Sequence, residues 1–170
     1  NGLIKNEDVD YFELNATKGQ RLSLEIEAIR LSGPLFDPYV AILDSNRFEV
    51  ATSDDTELLL QDSTLSMIVP NDGKYYIEVR ESSYRGGNNF YYRLHVGNFP
   101  RPLIAFPAGG QAGKLLSVKL MGDPTGPIQK NIQLPEKEDL SFGYRVEQNG
   151  LIAPSPNLIR VCNFPSIREA

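Results

Sequence analysis

The run Arg21-Leu22-Ser23-Leu24-Glu25-Ile26-Glu27-Ala28 sets an apolar side chain at every second position. Successive side chains on an extended strand point to opposite faces, so a period of two buries one face and wets the other, whereas a helix repeats every 3.6 residues. The segment suits a half-buried strand and cannot present one apolar stripe as a helix. The same alternation recurs over residues 11–16, 39–43, 48–53, 64–69, 74–80 and 90–96. Between these runs lie Lys18-Gly19, Asp44-Ser45-Asn46, Asn71-Asp72-Gly73 and Gly86-Gly87-Asn88, whose residue types favour turns. Such regular spacing predicts an all-β fold, an antiparallel jelly-roll-like sandwich of two sheets.

Charge and proline content both change at Asn98-Phe99-Pro100-Arg101-Pro102. Residues 1–98 carry 16 acidic and 9 basic side chains, net −7, with 3 prolines; residues 99–170 carry 6 and 8, net +2, with 9 prolines. Two prolines one residue apart cannot continue a central strand and stiffen the chain into an extended connector. The reading is therefore a first β-sandwich over 1–98 and a smaller immunoglobulin-like β domain over 99–170. Strands of the second part are expected at 103–106, 115–121, 128–134, 140–148 and 158–162.

A chain of 170 residues can bury a core without the help of a metal or disulfide, so no cofactor is required for folding. Its net charge of −5 argues against a surface that tracks phosphates, and nucleic acid is not an expected partner. One cysteine, Cys162, cannot form an internal disulfide, and one histidine, His95, leaves little material for a His-based dyad or a zinc site. No run reaches the roughly 18 apolar residues of a membrane-spanning helix. The first residue is Asn, with no basic-then-apolar leader, which reads as a piece excised from a longer protein.

Ala108-Gly109-Gly110-Gln111-Ala112-Gly113-Lys114 comes close to a phosphate-binding loop. However, Leu115 stands where Ser or Thr would hold the metal, and Leu116-Ser117-Val118-Lys119-Leu120 alternates as a strand where a helix should open toward the anion. The segment is read as a hairpin turn. With Leu94 and Val96 inward, His95 faces solvent beside Arg93 and Tyr91 and has no nucleophile to serve. Cys162 reads as a small buried apolar residue. Asn15-Ala16-Thr17 fits a glycosylation acceptor, a three-residue pattern that recurs by chance.

Acidic residues gather in loops: Glu7, Asp8, Asp10, Asp37, Asp44, Asp54, Asp55, Asp62 and Asp72. Calcium takes about six to eight oxygens in irregular geometry, which loop carboxylates can supply, although the spacing is not that of an EF-hand. The competing use is to cap turns and keep strand ends soluble. A carboxylate-only glycosidase would rest on Asp54 and Asp55, with acids roughly 5–10 Å apart, but no cleft-forming insertion accompanies them.

Tyr75, Tyr76, Tyr84, Phe90, Tyr91 and Tyr92 crowd one stretch. Neighbours on a strand face opposite ways, so with Ile77, Val79, Leu94 and Val96 inward, Tyr75 and Tyr92 belong to the core. Tyr76 and Tyr91 then stand outside beside Arg80 and Arg93. These four form the expected ligand-binding face, since rigid amphipathic rings bind polymers at low entropic cost.

Asp8-Val9-Asp10-Tyr11-Phe12-Glu13-Leu14, Lys18-Gly19-Gln20, Asp37-Pro38-Tyr39-Val40-Ala41-Ile42-Leu43-Asp44, Asp54-Asp55, Pro70-Asn71-Asp72-Gly73-Lys74-Tyr75-Tyr76-Ile77 and Tyr92-Arg93-Leu94 follow one another in a familiar order. Over residues 2–97 the chain resembles the bacterial pre-peptidase C-terminal domain, to which the collagen-binding domains of collagenases are related. The resemblance implies a jelly-roll-like accessory sandwich of a secreted or cell-surface protein. It also implies calcium ligands at Glu7, Asp8 and Asp10, whose relatives add an acidic stretch further upstream than this chain reaches. Where collagen binders continue with more tyrosines, Arg80 and Ser82 stand here, so the resemblance does not extend to collagen binding. Phe106-Pro107-Ala108-Gly109-Gly110 and Leu120-Met121-Gly122 are similar to an immunoglobulin-like domain of the TIG type.

These readings describe a non-catalytic accessory module of a larger exported bacterial protein, placed outside the cell, on its surface or in the periplasm. Neighbouring domains of the parent protein and a polysaccharide or fibrous protein are its expected partners. A calcium-stiffened connector and a carboxylate-based glycoside hydrolase are the alternatives.

Overall fold

The computed structural model describes residues 1–31, 36–59 and 61–165. It divides into two units, Asn1–Asn98 and Phe99–Ala170. Among the described residues the first unit consists of strands β1 (Gly2–Leu3), β2 (Val9–Ala16), β3 (Arg21–Glu27), β4 (Pro38–Leu43), β5 (Glu49–Ser53), β6 (Thr64–Ile68), β7 (Gly73–Glu81) and β8 (Tyr91–Gly97), with short 3-10 turns at Ile29–Leu31 and Glu57–Leu59. The second unit adds β9 (Ile104–Phe106), β10 (Gly109–Gln111), β11 (Leu115–Met121), β12 (Ile128–Gln133), β13 (Gly143–Tyr144), β14 (Glu147–Gln148), β15 (Leu151–Ile152), β16 (Asn157–Leu158) and β17 (Arg160–Cys162). The fold is all-β, with its sheets largely antiparallel.

In the first unit the order β1-β8-β3-β6 makes one four-stranded sheet and β2-β7-β4-β5 the other. The pairings nest: β4 with β5, β3 with β6, β2 with β7, and β1 with β8 outermost. Leu22, Leu24 and Ile26 of β3 meet Val40 and Ile42 of β4 and Tyr75, Ile77 and Val79 of β7 in one buried cluster, closed by Tyr92, Phe36 and Ile4. Full burial of one such aliphatic side chain stabilises by about 1.5–3 kcal/mol, so this shared interior holds the two sheets face to face.

Two polar devices assist it. The hydroxyl of buried Tyr92 crosses from β8 to donate to Asp10 Oδ2 on β2 at 2.5 Å. Gly2 is required above that ring, since a Cβ there would lie 2.3 Å from Tyr92 Cε1. Buried Asp62 accepts from the Ala28 and Ile29 amides, each at 2.9 Å, and from Arg30 Nε at 2.6 Å, which caps the 3-10 turn after β3.

The second unit departs from several expectations. A three-stranded sheet, β12-β11-β9, covers Val118, Leu120, Ile132 and Val161, but the remaining strands are two or three residues long and pair in twos. The strand expected over 140–148 is interrupted at Arg145-Val146, and that over 158–162 breaks at Ile159. The expected hairpin turn at 108–114 is instead β10 plus a tight turn, and β10 runs parallel to β17 rather than pairing with β11. Glycine makes that possible, because a Cβ on Gly109 would fall 2.4 Å from the Arg160 carbonyl oxygen. Asn149 and Gly150, both at positive φ, close the β14–β15 hairpin.

Candidate functional site

Strand pairing decides which side chains share a surface. On the outer face of β2-β7-β4-β5, Tyr39 lies opposite Arg80, Tyr11 opposite Glu78, and Glu13 and Leu43 flank Tyr76. The Arg80 guanidinium lies 3.8 Å from the centroid of the Tyr39 ring and 4.6 Å from that of Tyr84. Its Nε donates to Glu78 Oε1 at 3.2 Å and its Nη1 to the Ser82 carbonyl at 3.0 Å, and its side chain is only 14% exposed. A second arginine repeats the arrangement: Arg47 sits 3.9 Å from the Tyr76 ring centroid and 4.9 Å from that of Tyr11. Stacking of this kind contributes about 0.5–2 kcal/mol according to how dry it is.

Turn chemistry supplies Arg47. Asp44 Oδ1 accepts from the Asn46 amide at 2.8 Å and the Phe48 amide at 3.0 Å, and Arg47 itself adopts φ 67°, which aims its side chain back over the sheet. Hydroxyls are tied down as well. Tyr39 donates to Glu49 at 2.8 Å, and burial, followed by that bond, pushes its pKa up to about 12. Burial, then the 3.1 Å bond to Glu78, also raises Tyr11. At the rim, the hydrogen bond from Lys74 holds exposed Glu13 below its usual range.

The four residues expected to form one face are divided between two sheets. Tyr76 and Arg80 stand on β7, in β2-β7-β4-β5, whereas Tyr91 and Arg93 stand on β8, in β1-β8-β3-β6. They point outward on opposite sides of the sandwich, because the segment joining β7 to β8 carries the chain from one sheet to the other. Tyr91 is 57% exposed opposite Leu3. Arg93 and His95 share Glu27, each at 3.0 Å, so the single histidine is tied to a surface carboxylate by a hydrogen bond. Val96, expected inside, is 44% exposed.

Several of the acidic residues serve structural hydrogen bonds. Glu7 is exposed in a turn at φ 59°, Asp8 accepts from the Lys5 amide at 3.3 Å, and Asp10 is engaged by Tyr92. Among the described residues no three His, Cys, Asp or Glu side chains form a metal-holding group. Asp72 accepts from the Lys18 amide at 2.6 Å, and Asp54 from the Ser82 hydroxyl at 2.8 Å, with its carbonyl engaged by Ser63. Asp37 is raised by burial first, then by Asp55, Asp54 and Glu81.

In the second unit a cavity of about 230 Å³ lies beside Gly109, Gly110, Lys114, Leu116 and Leu134. Its amides do not cradle an anion: those of Ala112, Gly113 and Lys114 donate to the carbonyls of Cys162, Pro135 and Gln111. Cys162 is half-buried, with Sγ 3.3 Å from the Phe164 carbonyl oxygen, rather than fully enclosed.

Tyr11, Tyr39, Tyr84 and Arg47 were not among the residues expected on the face. The period-two pattern already puts Tyr11 and Tyr39 outside, on the side away from Phe12 and Val40. Arg47 and Tyr84 lie in turns and have no such signal.

Residues 8–81, from just before β2 to the end of β7, match the family model of the bacterial pre-peptidase C-terminal domain. A search of curated proteins finds no match to the chain. Domains of that family are typically non-catalytic accessories of secreted proteins. Among the described residues no helix is long and apolar enough to cross a membrane.

Proposed function

We propose that this chain is a non-catalytic accessory segment of a larger exported bacterial protein, which spaces its neighbours and docks them onto a polymer. The docking surface is the outer face of β2-β7-β4-β5. The observation that carries this reading is the pair of arginine stacks, Arg80 between Tyr39 and Tyr84 and Arg47 over Tyr76 and Tyr11. They order long side chains on a face that has no part in the core, so little rotamer entropy is left to lose on binding. Tyr91 and Arg93, on the opposite sheet, are not part of that face. The match over residues 8–81 supports the accessory role, and the nested strand order supports reading the first unit as a jelly roll.

Isothermal titration against insoluble and soluble polysaccharides and fibrous proteins tests the docking role. Heat that disappears in Arg47→Ala and Tyr84→Ala, but persists in Arg93→Ala, is the expected result. Silence from every polymer would leave spacing as the whole function.

A further inference from the structure

The turn between β4 and β5 supplies one cation that the fold leaves without an anionic partner. Arg80 is spent on Glu78 and on the Glu81 and Ser82 carbonyls, and Lys74 on Glu13. Arg47 is exposed over the Tyr76 and Tyr11 rings, and among the described residues no carboxylate or carbonyl oxygen takes its guanidinium N–H groups. A guanidinium lying on aromatic rings keeps its donors in one plane, directed outward as a fork. Its backbone is fixed as well: the Arg47 amide donates to the Asp44 carbonyl at 3.0 Å, and Asp44 Oδ1 holds the amides of Asn46 and Phe48 on either side. The fork is ordered before any ligand arrives, so little entropy is lost when one binds.

Strand pairing sets two carboxylates around this fork. Glu13 lies opposite Tyr76, Tyr76 opposite Leu43, and Leu43 opposite Glu49, one residue from each of β2, β7, β4 and β5. Adjacent strands are about 4.8 Å apart, so the row spans about 14 Å. Arg47 covers its Tyr76 position, and an exposed carboxylate stands at each end. Glu13 Oε1 takes Lys74 and Glu49 Oε1 takes the Tyr39 hydroxyl, which leaves both carboxylates room for further donors. Phe48, next to Arg47 in the turn, is 70% exposed and has no ring partner among the described residues.

We propose, building on the reading of this face as a docking surface, that its ligand is an acidic polysaccharide of the polyuronate type and that Arg47 reads it. The carboxylate of one sugar takes the guanidinium fork in its plane. Hydroxyls of that sugar and its neighbours donate to Glu13 and Glu49, and the Phe48 ring meets a sugar face. A neutral polymer leaves the fork without an anion, and the ring faces under Arg47 are closed to stacking. A polymer with closely packed charges, such as a polysulfate, sets its anions against Glu13, Glu49 and the net charge of −7 over residues 1–98, which selects against it. An acidic peptide offers these carboxylates few hydroxyls. One carboxylate per sugar, set among hydroxyls, matches the order of acceptor, cation and acceptor along the row.

Isothermal titration of the full 170-residue chain against polygalacturonate and its fully methyl-esterified form tests this, since the two share a backbone and differ in charge. The acid form binds, and the ester binds about tenfold more weakly or less. Arg47→Gln weakens binding of the acid form by roughly tenfold. Arg47→Lys shows the same loss, because an ammonium has no planar fork, and Phe48→Ala loses a smaller factor. Retained cooperative melting shows that these surface variants stay folded. Equal affinity for acid and ester, or unchanged affinity in Arg47→Gln, overturns the inference and leaves the docking reading standing; so does a neutral polymer that binds where polygalacturonate does not. Polyglutamate binding as tightly as polygalacturonate overturns it in favour of an acidic peptide. Silence from acidic and neutral polymers alike removes the docking reading, and this inference with it.

Discussion

The two units solve the same problem with different materials. In the first, strands run to nine residues, β7 alternates buried and half-buried side chains along most of its length, and side chains from both sheets fill one interior. In the second, prolines cut the chain so often that most strands span two or three residues, and the fold relies on close backbone approach and tight turns, as where Gly109 lies against Arg160. Side-chain volume is therefore decisive in one unit, and the absence of a side chain in the other.

That contrast can be broken by substitution. Leu24→Ala, at a fully buried site of β3, should have the largest effect, lowering stability by about 2–5 kcal/mol in chemical denaturation; a loss below about 1 kcal/mol would mean that the interior is not packed as described. Gly109→Ala should cost about 1–3 kcal/mol by forcing β10 away from β17. Faster exchange of the Arg160 amide, which donates to the Ala108 carbonyl, is the specific sign.

Tyr92→Phe sharpens the comparison by asking whether the first unit also depends on a polar clamp. Asp10 would lose a charge-assisted donor, at a cost of roughly 1–2 kcal/mol. Burial, then the bond to Asp10, raises the folded pKa of Tyr92 above the ordinary tyrosine value of 10.0, so its contribution is complete below pH 10 and fades as pH rises beyond that. The Phe variant should accordingly lose less stability than the wild type in that alkaline range. Asp37→Asn should have the smallest effect, and of opposite sign. Because the folded pKa of Asp37 is raised, the neutral carboxyl is favoured below the ordinary aspartate value of 3.8 and that advantage is lost as pH rises through the folded value. The Asn variant should melt slightly higher than the wild type at neutral pH, with the gap closing under acid; a gap independent of pH would exclude this account.

Strand positions in the first unit were legible because alternation over five or more residues is a strong signal, and β2 through β8 all lie within the runs read from sequence or extend them by a few residues. β1 was not, since two residues cannot display a period. For the candidate face, alternation correctly put Tyr75 inside and Tyr76 outside, but it reports orientation toward a core and not which sheet a strand joins. That is why Tyr76 and Tyr91 were read as neighbours. In the second unit, strands of two or three residues are set by pairing partners distant in sequence, and local pattern carries little information about them.

The nesting of pairs in the first unit also orders its assembly. Leu43 meets Glu49 across a short turn, Glu25 meets Thr64 across a longer one, Ala16 meets Gly73 across more chain still, and Leu3 meets Tyr91 across nearly the whole unit. The entropy lost in closing a loop grows with its length by about 0.6 kcal/mol per doubling, so the ladder zips from its middle outward, and such non-local topologies fold slowly. On loop entropy alone, the N-terminal ribbon is expected to dock last and to open first, which pulsed amide exchange would read as late protection of β1.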